Sequence, residues 1–534
     1  MGGGLVNLAS LLHPAWAHRR MFREIFPLEF LSVSRLVTLL VGFVLVVTSL
    51  NIVKRKHRAY QMALFFAGLG IGLHLIRGRD LEQIAYSLLL IVFLITGRRD
   101  FTVRSGAPRL RPTLSRFGIG VAVALAYGVA GFWFLDVRDF GVNFVLRDAI
   151  RHTVRVMLLQ QDLGIVPRTV HARWFLDSLD LMTLTVVAYS ASLLFRPAAY
   201  RMFILPHDRR TALAIVERHG RSSLDYFKPW TDKSLFLSRS RESFLAYRVG
   251  RGYALVLGDP VGPGHEIEPL AEEFIHWCHE NDWGVAFHQV PPDCLSIYAR
   301  LGLRKLKIGE EAVVDLASFS LDGRSMKRLR NSMHKLAGEG IRAVRFDPPL
   351  PDDVLLRARE VSADWLTLPG RRERRFTLGW FDPGYLRATP LVAAIDATGQ
   401  MQAFANVIPS YAPGEATIDL MRHRADAPAG CMDFLFIELF RQCRERGFSR
   451  FSLGMAPLGG FREHEPASPE ERAVHFFIGQ LRSRFSFEGM RQFKGKYATS
   501  WEPRYLAYRN VLGLPRIALA LTEVSEIRRR EDGD

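Results

Sequence analysis

FLAYRVGRGYALVLGDPVG, residues 244 to 262, decides the fold class. Two apolar runs flank VGRG, which reads as the turn of a β-hairpin, and the second run stops at a Gly/Pro loop. EPLAEEFIHWCHEND follows with the apolar spacing of an amphipathic helix, then WGVAFHQV as a further strand. The alternation recurs downstream. A basic helix (SMKRLRNSMHKLAGEG), a strand (IRAVRF) and a helix (PDDVLLRAREVSADWL) precede strands PLVAAID, MQAFANVIP and EATIDLMRH, the helix MDFLFIELFRQCRERG and the strand RFSLGM. Two α/β units of similar length therefore stand in tandem, the second beginning near residue 337, and together they predict a duplicated mixed-sheet fold.

The residues before 196 are of another kind. Uncharged apolar runs occur at Leu36 to Val53, Tyr60 to Ile76, Gln83 to Gly97, Phe117 to Leu135 and Leu181 to Phe195. The longest approach the roughly 20 residues that span a bilayer, and five transmembrane helices are expected. The basic loops KRKHR (54 to 58) and RRDFTVRSGAPRLRPTLSR (98 to 116) lie two spans apart, which puts both, and everything after Arg196, on the cytoplasmic side. MGGGLVNLASLLHPAW has no basic start and no small-residue cleavage site, so no cleavable signal is expected. Arg147, Arg151 and Arg155 share one helix face in FVLRDAIRHTVRVMLL, the pattern of an interfacial helix against anionic headgroups, with a sixth, Arg-bearing span as the alternative.

The chain has 534 residues, 71 Lys and Arg against 54 Asp and Glu, and a net charge of +17. That excess favours an anionic partner, nucleic acid or lipid surface. The four cysteines, Cys278, Cys294, Cys431 and Cys443, have no metal-ligand spacing and read as reduced, buried thiols.

No Walker loop, GxGxxG after a strand, HExxH or GxSxG occurs, so nucleotide hydrolysis, dinucleotide redox chemistry, zinc hydrolysis and a hydrolase elbow lack their usual residues. What remains is charge within apolar strands. Asp419 and Arg422 interrupt the β-run ATIDLMRHR; they form either a strand-end ion pair or a carboxylate for a substrate ammonium beside a guanidinium for a phosphate or oxyanion. In MRQFKGKYATSWEPRYLAY, Arg491, Lys494, Lys496 and Arg504 interleave with Tyr497, Trp501 and Tyr505. A solvated basic strip would have that charge, but the aromatics suit a single-stranded RNA end or a lipid headgroup boundary.

The ordered series RWFLDSLD, HGRSSLDYFKPWTDKSLF, AYRVGRGYALVLGDPVG, FTLGWFDPGYL, IDLMRHRADAPAGCMDFL, LGMAPL and FKGKYATSWEPRYL resembles the aminoacyl-phosphatidylglycerol synthase family, also known as the multiple peptide resistance factor or lysylphosphatidylglycerol synthetase family. The resemblance covers nearly all of the second half of the chain. It implies a multi-pass enzyme of the bacterial inner membrane whose cytoplasmic region holds two acetyltransferase-like (GNAT-like) folds with a tunnel between them. The implied domains are a membrane region at 1–205, a first acetyltransferase-like unit at 206–336, a second at 337–515 that carries the catalytic site, and a charged tail at 516–534. The implied substrates are aminoacyl-tRNA and phosphatidylglycerol, the aminoacyl group being lysyl, or next alanyl. The product lowers the negative charge of the membrane and so resists cationic antimicrobial peptides. An acetyltransferase-like fold that uses coenzyme A should show an R/Q-x-x-G-x-G/A turn before a helix; none is evident where the second unit needs it, so acetyl-CoA is not the expected donor, and no cofactor or metal is expected. Family members commonly carry more N-terminal helices, including a flippase portion, so translocation of the product is not expected of this chain. A homo-oligomer is left open.

The implied reaction is a transesterification: the glycerol hydroxyl of the lipid attacks the aminoacyl ester and expels the tRNA ribose hydroxyl, a step that needs positioning and oxyanion stabilisation. Asp419 is expected to hold the aminoacyl α-ammonium, and Arg422 and Lys494 the lipid phosphate or oxyanion. Arg491, Lys496 and Arg504 are expected at the tRNA end or in supporting contacts, with Trp501, Glu502 and Tyr505 lining the substrate. No Ser or Cys nucleophile is nominated. The rivals are an aminoacyl-tRNA-dependent transferase acting on a cell-wall precursor and a noncatalytic lipid-binding membrane scaffold.

Overall fold

The structure, a computed structural model, describes residues 57–77, 81–98, 110–135, 137–158, 165–193, 205–324, 326–457 and 487–526, with a few isolated positions besides. The apolar run at Leu36 to Val53 and the leader reading lie outside these residues. The chain divides into a helical unit, essentially the first 199 residues, and an α/β unit after it.

In the helical unit α1 (His57–Arg77), α2 (Leu81–Thr96), α3 (Leu110–Phe134) and α5 (Val170–Leu193) cover four of the five expected spans. Among the described residues one helix, over Phe117–Phe134, has the length and apolarity of a span. Phe132, Phe175 and Leu179 bury the α3/α5 contact. Gly131 permits it, since a Cβ there would lie 1.9 Å from the Phe175 ring. Large apolar side chains face outward, among them Phe93 at 75% and Phe134 at 82% exposure, more than a water-soluble surface usually carries. The Arg-bearing helix α4 (Leu146–Met157) has 12 residues, roughly 18 Å, too short for a sixth span. Arg147 and Arg151 are exposed while Ala149, Thr153 and Val156 are buried, the two-faced pattern of the interfacial reading.

The α/β unit is one eleven-stranded sheet. Its strands are β1 (Ser234–Leu237), β2 (Phe244–Gly250), β3 (Tyr253–Leu257), β4 (Gly284–Val290), β5 (Arg304–Asp315), β6 (Arg342–Phe346), β7 (Leu391–Ile395), β8 (Met401–Pro409), β9 (Glu415–His423), β10 (Arg450–Pro457) and β11 (Ser500–Tyr508). Helices α6 (Pro206–His219), α7 (Gly264–Glu280), α8 (Lys327–Gly338), α9 (Asp352–Trp365), α10 (Cys431–Glu445), α11 (Phe487–Gly495) and α12 (Leu514–Ser525) complete it. The opening stretch forms the β2/β3 hairpin, and Arg251 and Gly252 both take positive φ, as a two-residue primed turn requires. Helix α7 links the parallel pair β3/β4, and α10 links the parallel pair β9/β10. All four cysteines are buried and free.

The strand order is β1-β2-β3-β4-β11-β5-β10-β9-β8-β7-β6. The two halves are related by approximate twofold pseudo-symmetry, with one exchange: β11, the last strand of the second half, pairs with β4, and β5, the last strand of the first half, pairs with β10. Each half borrows its partner's final strand.

Two boundaries move as a result of packing. Helix α8, expected in the first unit (206–336), packs against α10 through Leu329 and Leu336, so the second core begins near residue 327. The expected charged tail at 516–534 is, over its first ten residues, part of α12, whose Ile517, Ala520 and Val524 are buried against the first half. Residues 527–534 lie outside the described residues.

The exchange predicts that residues 205–324 alone do not fold. Hydrogen exchange on that fragment should find β3 and β4 unprotected, and co-expression with 326–534 should restore protection. Protected β3 and β4 amides in the isolated fragment would contradict the interdependence.

Candidate active site

Parallel strands β9 and β10 are paired at Glu415/Arg450, Ala416/Phe451 and Thr417/Ser452, and there the ladder ends. At that level both strands bulge. Against β8, Ala405 faces Met421 and Val407 faces Ile418, which leaves Asp419 and Leu420 opposite Asn406 alone. Asn406 fills the gap by accepting the Leu420 N–H at 2.8 Å. Against β5, the register of β10 shifts between Ser452 and Met455, with Gly454 at φ +75°. Paired bulges beside a splayed pair of parallel strands re-aim side chains into the opening.

Asp419 occupies the β9 edge. Its carboxylate accepts the Tyr385 hydroxyl at 2.7 Å and the Gly379 N–H at 3.0 and 3.1 Å, and the Asn406 amide donates to the same tyrosine oxygen at 2.8 Å. A Cβ at Gly379 would come 2.1 Å from the carboxylate and 3.0 Å from Trp230, so glycine allows the close approach. Trp230 stands edge-on to Tyr385 and to Trp380, at 4.7 and 5.1 Å between ring centres, and Tyr226 adjoins it. Burial pushes the Asp419 carboxyl up to about 6, against the opposing pull of Tyr385, the Gly379 N–H and Arg422. The residue keeps partial solvent access. A carboxylate ringed by aromatic rings is a receptor for an ammonium group.

Lys494, on α11, lies at the β10 edge. Its Nζ donates to the carbonyls of Gly454 and Met455, at 3.1 and 3.0 Å, which binds α11 to the bulge. Burial pulls its ammonium down to about 8, while Glu311 favours the charged form. Two hydrogen bonds leave one of its three N–H donors for another acceptor.

Arg422 does not present the free guanidinium expected of an anion site. It is buried, paired with both oxygens of Glu373 at 2.7 Å, bonded to the Ser362 hydroxyl and covered by the Trp365 ring at 4.9 Å. Glu373 also accepts the Phe381 N–H at 3.4 Å. The pair thus braces the 376–382 loop that brings Gly379 to Asp419, a positioning role.

The remaining expected site residues are engaged within the sheet. Arg491 pairs with Glu310 and stacks on Trp501 at 4.4 Å; Lys496 pairs with Asp433 at 2.9 Å. Glu502 bonds Arg450 at 2.6 Å and Arg504, which also bonds Glu311. Tyr505 is buried beneath Lys305.

Sequence reasoning missed the supports: Tyr385, Gly379, Trp230, Trp380, Asn406 and Glu373. It also missed a buried clamp. Lys233 Nζ bonds Asp232 at 2.5 Å and the Phe376 carbonyl at 3.2 Å, while Asp232 accepts the Phe376 N–H at 2.9 Å. Phe376 is fully buried at φ +78°, a conformation a bulky residue adopts only under such constraint. WTDKSLF and FTLGWFDPGYL, quoted above for their resemblance, are the two sides of this clamp.

The first half has a counterpart. Asp259 lies two residues beyond the last β3/β4 rung, Leu257/His288, as Asp419 lies two beyond Thr417/Ser452. It too accepts a tyrosine hydroxyl, from Tyr298 at 2.7 Å, and burial pushes it up to about 6. There Lys228 reaches the Asp259 carbonyl and the Asp225 carboxylate, both at 2.5 Å. Asp259, Asp293 and Cys294 bring three donor atoms within 4.8 Å of one another, and burial pushes the Cys294 thiol up to about 12.

A family model described as "Phosphatidylglycerol lysyltransferase, C-terminal" matches residues 213–508. The phosphatidylglycerol lysyltransferase of Bacillus subtilis (strain 168) is 29% identical over 479 residues, 88% of this chain and 52% of that protein. That of Staphylococcus haemolyticus is 29% identical over 307 residues, 57% of this chain and 36% of its own length. The chain thus spans about half, or less, of the length of these curated relatives. The solved structure of L-PGS from Bacillus licheniformis is 34% identical, with a TM-score of 0.53 over 59% of this chain and 95% of that one. A C-terminal domain described as that of a lysylphosphatidylglycerol synthetase, from Agrobacterium fabrum, gives 34% and 0.53 over 60% and 96%.

The raised Asp419 carboxyl predicts a pH signature. Its proton is held more tightly folded than unfolded, so the folded state is favoured in full below about pH 4 and loses that advantage as pH rises through about 6. Asp419→Asn does not titrate. Relative to it, the wild type should lose roughly 1–3 kcal/mol of unfolding free energy between those pH values, the range allowing for partial solvent access. A difference that stays flat across that window would remove the desolvated carboxylate from the account.

Proposed function

The chain belongs to the phosphatidylglycerol lysyltransferase C-terminal family, and from that premise we propose that it transfers an aminoacyl group, lysyl first, from aminoacyl-tRNA to the glycerol hydroxyl of phosphatidylglycerol. The observation that carries the reading is Asp419: a desolvated carboxylate in an aromatic surround at one edge of a strand opening whose other edge bears Lys494.

In this mechanism Asp419 holds the α-ammonium of the aminoacyl ester, beside the rings of Trp230 and Tyr385. Ammonium binding favours the ionised carboxylate and draws its pKa back down. The lipid hydroxyl attacks the ester carbonyl, the tetrahedral oxyanion forms, and the ribose oxygen leaves with the proton. Lys494, already desolvated and with one N–H unused, supplies positive charge to the oxyanion or to the lipid phosphate. Arg422 and the Asp232–Lys233 clamp hold the loop that shapes the ammonium site. Arg491, Lys496, Glu502 and Arg504 support β11 and α11 and meet the tRNA end only through exchange of their present ion pairs.

The exposed apolar faces of α2 and α3 favour a chain embedded in the bacterial inner membrane through five spans, with the α/β unit cytoplasmic, where charged tRNA is available. Two acetyltransferase-like units then face tRNA and lipid, and the modified lipid lowers surface negative charge.

The test is lipid analysis by thin-layer chromatography and mass spectrometry after expression in a host without aminoacylated lipids. Lysyl-phosphatidylglycerol should appear, and ribonuclease should abolish its synthesis in membrane extracts. An extended cell-wall precursor would move the acceptor elsewhere, and no product at all would leave a scaffold. For the purified enzyme, kcat/KM should be bell-shaped with limbs near pH 6 and pH 8, from ionised Asp419 and protonated Lys494. Lys494→Ala should reduce the rate about a hundredfold or more; a near-normal rate would free Lys494 of its assigned role.

A further inference from the structure

A recess of about 550 Å³ opens beside the start of α6, lined by Met202, Pro206, Arg209, Arg210, Leu213 and Thr231. Its two arginines are exposed, and neither has an ion-pair or hydrogen-bond partner among the described residues. Most arginines considered above are paired. The one carboxylate of that helix turn, Asp208, is already taken by Arg241 at 2.5 Å and His207 at 3.1 Å, so nothing local neutralises Arg209 or Arg210. Residues 206, 209, 210 and 213 share one helix face. That face ends in apolar surface, Met202 and Leu213 each being 42% exposed.

We propose that this recess binds the headgroup of the anionic phospholipid acceptor, Arg209 and Arg210 meeting its phosphate and Met202, Pro206 and Leu213 meeting the glycerol and first acyl carbons. The inference rests on the transferase reading for the word acceptor, and on the recess alone for the binding of an anionic phospholipid. Bidentate donors beside apolar side chains suit a lipid phosphate, whereas an RNA backbone would need a longer stripe of charge. Met202 follows the end of α5 at Leu193 by nine residues in the chain. One lining residue is adjacent in sequence to the surround of Asp419. Thr231 sits between Trp230, whose ring adjoins Gly379 and Tyr385 at Asp419, and Asp232 of the clamp.

Two measurements on the full-length protein in phosphatidylcholine vesicles test it. The first is the initial rate against the mole fraction of phosphatidylglycerol, at saturating lysyl-tRNA. Arg209→Gln with Arg210→Gln should raise the half-saturating fraction roughly ten- to thirtyfold, leave kcat and the KM for lysyl-tRNA unchanged, and be rescued by lysine at both positions. Arginines that serve only to orient the preceding helix would leave the half-saturating fraction unchanged, and that result overturns the proposal. The second needs no activity: a photoactivatable phosphatidylglycerol with its diazirine on the headgroup should label the peptide containing 202–213 in the wild type and not in the double variant. Equal labelling by a phosphatidylcholine analogue, or no difference between wild type and variant, also overturns it. Labelling as expected without any aminoacylated product would uphold the recess and sink the transferase reading.

Discussion

The pairing of β5 with β11 at the centre of the sheet is the constraint on which the rest depends. Neither strand finishes its own half. Their register sets Glu502 opposite Glu311, a like-charge pair that is unfavourable by itself. Arg504 lies between them and Arg450 bonds Glu502, while Arg450 also reaches Glu415 on β9 at 3.2 Å. The ion pairs therefore run across β9, β10, β11 and β5, and they bind the two halves where each lends a strand. The same exchange sets β5 against β10, and the register shift between those strands makes the bulge to which Lys494 is attached.

The pseudo-symmetry makes the difference between the halves informative. Both place an aspartate two residues past a parallel ladder, both give it a tyrosine hydroxyl, and burial raises both carboxyls to about 6. In the first half the chain brings its own ammonium, Lys228, to the Asp259 backbone. In the second half the surround of Asp419 is aromatic, and its nearest guanidinium is committed to Glu373. A desolvated carboxylate whose neighbouring cations, Arg422 and Lys233, are engaged with Glu373 and Asp232 is destabilising by itself, a cost that a cationic ligand would relieve under the proposed mechanism.

Much of this was legible in the sequence because local pattern and tertiary role agreed there. The β2/β3 hairpin, the strand and helix alternation, and Asp419 as an odd charge in an apolar run all follow from periodicity. Strand β11 was not legible: SWEPRYLAY carries charges and a proline where a central strand is expected to be apolar, and its partners Glu310 and Glu311 lie nearly two hundred residues away. The engagement of Arg422 was not legible for the same reason, since Glu373 and Ser362 are remote in sequence and an arginine beside an aspartate reads equally as a strand-end ion pair or an anion site. Helix α12 is adjoined by the charged run EIRRREDGD, which masks in composition the helical spacing of Ile517, Ala520 and Val524. Most supports of Asp419, Gly379, Trp380 and Trp230 among them, sit in irregular stretches without periodicity, so their convergence on the carboxylate had no periodic signal, although the stretches that hold them carry the family resemblance.

The central claim is that the Asp419 carboxylate receives the α-ammonium of the aminoacyl group. Calorimetric binding of lysine methyl ester to the full-length protein tests it most directly. The account predicts binding that weakens as pH falls through about 6, disappears in Asp419→Asn, and is lost when the α-amine of the ester is acetylated. Undiminished binding of the ester by Asp419→Asn, or equal binding of the Nα-acetyl ester by the wild type, would contradict it.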